Sequence, residues 1–239
     1  MIPNAIGSYG PWAAKIVGRS IGRYSLRNGK FKDVNAWRKQ ARARVWDLLA
    51  PPVLKKVPKP RTDWVGAYDG LHVEKLSWQL PWGPRTEAVL LKPKGTGPRE
   101  RLPAVLALHD HGGKKYFGWR KIAQVDDQLH PLLREHREDD YGGLAWANQI
   151  AKRGFTVLCH DTFPFASRRV KIAEVLKPVA GGAKDPGPEE IQEEIEAYNR
   201  WAGGHEHILA KALFSAGTTW PGIYVVEDQA ALSILGARP

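Results

Sequence analysis

From residue 33 onward the apolar positions fall into periods that predict elements. Across residues 33–49, Val34, Trp37, Ala41, Val45, Leu48 and Leu49 recur at three- and four-residue steps. That is one stripe of an amphipathic helix, with Arg38, Lys39, Arg42 and Arg44 mostly off it. Pro51 and Pro52 stop the helix, and Pro58 and Pro60 make a stiff connector. Extended segments follow at 71–80 and 86–92, with Pro81-Trp82-Gly83-Pro84 between them reading as a tight reversal. Residues 104–108 form a short continuous apolar run, the pattern of a strand covered on both faces. It ends abruptly in His109, Asp110, His111, Gly112 and Gly113. A helix is predicted over 146–153 with Gly154 as its cap, then a second buried strand over 155–159 ending in His160-Asp161. Helices are expected at 189–201, 206–214 and 223–235, while residues 1–30 are Gly-rich and irregular. Strand, crossover, helix, strand is the rhythm of an α/β fold, here expected as a mostly parallel sheet flanked by helices.

Composition narrows this picture. The chain has 239 residues, 43% apolar, enough for one domain or one and a half and too apolar for disorder. A single cysteine, Cys159, excludes a disulfide scaffold and points to a reducing compartment. Residues 1–20 carry no long apolar run behind a basic tip, and no stretch approaches the roughly 20 apolar residues of a membrane helix. The expectation is a soluble cytoplasmic protein with no membrane partner. The net charge of +11 is local: residues 1–61 carry +12, and the remaining residues carry −1. The chain therefore divides into a basic N-terminal arm (1–61) and a nearly neutral body (62–239). The arm reads as a solvated helical face able to attract polyanions without recognising sequence. Trp37 and Trp46 are its candidate stacking residues, and nucleic acid is not the expected partner.

A strand ending in a polar, Gly-rich loop is where α/β sheets place chemistry. Residues 102–118 resemble the strand and oxyanion loop of α/β-hydrolases, within them the dienelactone hydrolase-like and acetyl xylan esterase-like group. Residues 147–161 resemble the helix and strand that follow. Thr219-Trp220-Pro221-Gly222, leading into Val226-Glu227-Asp228-Gln229, resembles the helix before the nucleophile strand. The resemblance covers about residues 65–239. It implies serine-type hydrolysis of a carboxylic ester, such as deacetylation of a carbohydrate or opening of a small lactone, with no cofactor. The backbone N–H of Asp110 or His111 would supply half of an oxyanion hole, with His109, Gly112 and Gly113 supporting the loop.

The triad is missing from the expected order. Downstream of Gly113 only Ser167, Ser215 and Ser233 occur, none in a Gly-x-Ser-x-Gly motif. The one formal match, Gly18-Arg19-Ser20-Ile21-Gly22, precedes every predicted strand and is read as a chance pattern. The expectation is an N-terminal part of a hydrolase, inactive alone, with nucleophile, acid and base beyond Pro239 and a complementing C-terminal half as a partner. Residues 104–108 would then form an apolar sheet edge. The competing metal-hydrolase reading uses His109 and His111 with His205 and His207, and Asp161, Cys159 or His160 as further ligands. It is disfavoured because Gly113-Lys114 stands where a His-x-His-x-Asp-His site needs Asp-His, so no bound metal is expected. Asp161 is expected to anchor local loops through Arg168 or Arg169.

Overall fold

A computed structural model describes residues 3–18, 21–97 and 99–238. Arg19 and Ser20 of the formal serine motif lie outside the described residues. The chain divides into two compact units, Met1–Leu49 and Ala50–Pro239.

The first unit holds α1 (Gly10–Val17) and α2 (Val34–Leu49). The second helix lies where the apolar stripe predicts it. Asp33 supplies its N-terminal cap, accepting from Asn35 N at 3.0 Å and Ala36 N at 3.0 Å. Neither helix buries a residue, and Val45 and Leu48 stand in solvent. Trp37 donates its indole N–H to the Tyr24 carbonyl at 2.6 Å and so packs within the arm, whereas Trp46 is exposed.

The second unit is built on a five-stranded sheet of β1 (Arg61–Tyr68), β2 (Leu71–Trp78), β3 (Thr86–Pro93), β4 (Ala104–Ala107) and β5 (Thr156–His160). The strand order is β1-β2-β3-β5-β4. Three pairings are antiparallel and one, β4 with β5, is parallel. The mostly parallel sheet expected from sequence is thus confined to one pair of strands. Connection length explains two of the three antiparallel pairings: β1, β2 and β3 are joined by short turns, which permit only antiparallel neighbours. A helical crossover separates only β4 from β5. It contains α3 (Pro131–Tyr141) and α4 (Trp146–Lys152). After β5 come α5 (Lys177–Ala180), α6 (Gln192–Ser215) and α7 (Trp220–Gly236).

The continuous apolar runs are explained by burial on both faces. Val89, Leu91, Val157 and Cys159 pack against Ala147 and Ala151 of α4. Ala88, Leu90 and Leu158 pack on the other face against Ala230, Ala231, Ile234 and Leu235 of α7. Two helices expected at 189–201 and 206–214 are one continuous α6. Ile195, Tyr198, Ala202 and His205 bury one stripe, which carries the helix through Gly203 and Gly204 despite a cost of about 1 kcal/mol for each. Strand β4 lies at an edge of the sheet among the described residues, and Leu108 just beyond it is 49% exposed.

Candidate functional site

The parallel pair β4/β5 points its carboxyl ends at one place. A cavity of about 180 Å³ opens there, lined by Leu108, His109, Asp110, His111, His160 and Asp228 among others. Residues 109–113 form its rim because two glycines turn the chain. Gly112 has φ +42° and Gly113 φ +68°, and a Cβ on Gly112 would collide with the Asp110 carboxylate and the His136 ring.

Both loop side chains are tied to helices. Asp110 Oδ2 accepts from His136 Nε2 at 3.0 Å and from the Tyr141 hydroxyl at 2.5 Å, both on α3. Burial would raise the Asp110 pKa, but those two bonds and the nearby Lys121 charge outweigh it and hold the carboxyl below the usual carboxylate range. Lys121 Nζ lies 3.6 Å from Asp110 Oδ1 and donates to the carbonyls of Asp110 and His111 at 3.1 and 3.0 Å. Its burial pushes its pKa down to about 8, against the pull of Asp110. On the other side, His111 Nε2 donates to Glu206 of α6 at 2.8 Å, and the buried Lys115 ammonium meets the same oxygen at 2.6 Å. With the side chains so engaged, the His111 backbone N–H meets no backbone acceptor among the described residues, whereas the Asp110 N–H faces the Tyr141 hydroxyl.

The histidines differ in protonation for geometric reasons. His109 Nδ1 donates to the Asp110 carbonyl at 3.0 Å, which leaves Nε2 a bare lone pair, buried and without a partner. Burial pushes its pKa down to about 3. His160 Nδ1 donates to the Asp161 carbonyl at 2.9 Å, and Nε2 faces Asp228 of α7 at 3.1 Å. Burial disfavours its charge, yet the Asp228 carboxylate prevails and the pKa is raised. Asp161 does anchor loops, but not through Arg168 or Arg169. It accepts from Trp119 N at 2.8 Å and from Ser167 N and Oγ at 3.1 and 2.7 Å. Arg168 instead forms a buried ion pair with Glu227 at 2.5 Å.

No described serine is paired with a histidine. Ser167 donates to Asp161 and accepts from Glu87 N, Ser215 is the exposed last residue of α6, and Ser233 donates to Gln229 O inside α7. The histidines proposed as metal ligands are not gathered either. His205 is buried and stacked on Trp201 at 4.7 Å, while His207 lies on the exposed face of the same helix. Both therefore sit mid-helix, not at a helix start. Among the described residues the group able to hold a metal is Asp110, His136 and Asp140. Sequence reasoning missed it. Both His136 nitrogens already face carboxylates, Asp110 at 3.0 Å and Asp140 at 2.8 Å, and Lys121 supplies the adjacent positive charge. The group is a clamp on the loop.

No family model matches the chain, and no curated protein matches it. Solved structures do. A candidate acetyl xylan esterase from Bacteroides fragilis aligns with a TM-score of 0.62 at 18% identity, covering 96% of this chain and 50% of that one. A glucuronoyl esterase from Solibacter usitatus aligns with a TM-score of 0.37 at 14% identity, covering 77% of this chain and 50% of that one. The first likeness shows the fold: the chain folds like that half of the Bacteroides protein. The chain spans about half the length of each solved protein.

Proposed function

We propose that this chain contributes the oxyanion side of a serine-type carboxylic ester hydrolase, with residues 62–239 forming the N-terminal part of the hydrolase domain behind the basic arm 1–61. One observation carries the reading. Asp110 and His111 have their side chains tied back to α3 and α6, and the His111 N–H, at the rim of a cavity outside the carboxyl ends of β4 and β5, has no backbone acceptor among the described residues. Preorganised N–H groups of this kind stabilise the oxyanion of a tetrahedral intermediate in acyl transfer. His109, Gly112 and Gly113 give the loop its shape.

The nucleophile, acid and base belong to residues outside this sequence, in a complementing C-terminal half, and the chain alone does not turn over esters. In support, no described serine meets a histidine, and the Bacteroides structure has a further half to its chain. The substrate class is a small-molecule or carbohydrate ester. The test is the coding sequence after the Pro239 codon, read in all frames. A Gly-x-Ser-x-Gly segment shortly downstream is expected, and a downstream region lacking one in every frame would remove the reading.

A further inference from the structure

A second cavity, of about 490 Å³, lies between the β2–β3 turn, the segment after β5 and the junction of α6 with α7. It shares no lining residue with the cavity at the 109–113 loop. Trp82, Phe163, Leu213 and Ile223 give it an apolar interior, and two consecutive arginines, Arg168 and Arg169, stand in its wall. The size and lining are those of a small-molecule site, an apolar body with a few polar groups.

The arginines differ. Arg168 is fully buried and its terminal nitrogens are spent on Glu227 and on the Trp82 and Pro84 carbonyls, yet its Nε–H has no acceptor. Arg169 has no carboxylate within ion-pair distance among the described residues. Its guanidinium rests over the Tyr116 ring at 4.9 Å and the Tyr198 ring at 5.9 Å, and donates once, to the Ala166 carbonyl at 3.1 Å. Its Nε–H too is buried without a partner. Buried N–H groups are nearly always matched, so two orphans on neighbouring residues leave this wall with more donors than acceptors. The carboxylate in the lining, Glu174, is largely exposed and lies 3.7 Å from Lys171.

We propose that this cavity binds an amphipathic carboxylate, its apolar body against Trp82, Phe163 and Ile223 and its carboxylate on Arg169. A guanidinium held flat on two rings presents a preset fork to a carboxylate, which an alcohol of equal length cannot exploit. The test is calorimetric titration of the full chain with octanoate and with octan-1-ol. Octanoate binds one to one, at least about tenfold more tightly than the alcohol. Arg169→Leu brings octanoate down to the affinity of the alcohol, and Ile223→Trp, which fills the cavity, abolishes both. If Arg169→Leu does not fold, Ile223→Trp and the comparison of the two ligands still decide. Equal binding of acid and alcohol, no binding of octanoate at millimolar concentration, or octanoate binding undiminished in either folded variant would overturn the proposal.

Discussion

His109 shows how a backbone contact fixes the chemistry of one side chain. The Asp110 carbonyl can only accept, so Nδ1 holds the proton and Nε2 is left bare in a site where charge is costly. Its pKa falls from 6.5 to about 3 on folding, so the unfolded chain binds the extra proton in that window. Stability therefore rises with pH between about 3 and 6.5 and is lost on acidification, with a slope of at most roughly 1.4 kcal/mol per pH unit. Asp161, whose burial raises its pKa to about 6, works in the opposite sense, but it is common to wild type and variant. In His109→Asn the slope of unfolding free energy against pH, followed by urea titration from pH 4 to 6.5, should be less positive than in the wild type, by up to roughly 1.4 kcal/mol per pH unit. Equal slopes would mean that His109 is not held neutral. The loop itself was legible in sequence, since an apolar run ending in His-Asp-His-Gly-Gly announces a strand end and a turn. Its anchors were not. His136, Tyr141 and Glu206 lie 26, 31 and 95 residues from their partners, and nothing local marks them.

Between elements, the Arg168–Glu227 pair joins the β2–β3 turn, the segment after β5 and α7. Arg168 also donates to the Trp82 and Pro84 carbonyls, while Glu227 accepts from the Trp82 indole at 3.1 Å and Phe163 N at 2.9 Å. Neither ion meets water, so removing one strands the other. Arg168→Met should cost about 3–5 kcal/mol in chemical denaturation, and adding Glu227→Leu should cost less than the sum of the two single changes. Additive losses would show that the ions are not coupled. The elements with a strong apolar pattern were readable: α2, β2, β3, β4, β5 and α7 all lie within a few residues of expectation. Those missed carry little such pattern. Helix α3 buries His136 and Arg137 beside Leu132 and Leu133, and Arg137 satisfies itself on the carbonyls of Arg120, Lys121 and Ala123. Strand β1 is an edge with most of its residues exposed, so no alternation marks it. Helix α1 buries nothing, and its flanking glycines made the segment read as irregular.

At the scale of the molecule, the fold is shared with the Bacteroides protein, and the chain spans half of the solved proteins it matches. No helix among the described residues is long and apolar enough to cross a membrane. The sequence expectation of a mostly parallel sheet failed because local hydrophobicity reports burial, not strand direction. For β1, β2 and β3 direction follows from connection lengths, which are short. The central claim is that the chain holds an oxyanion loop without a competent nucleophile. Intact-mass analysis after exposure to a fluorophosphonate probe, which phosphonylates activated serines, tests it most directly. The account predicts an unmodified chain under conditions that fully label a serine esterase. Stoichiometric phosphonylation of Ser20, Ser167, Ser215 or Ser233 would contradict it.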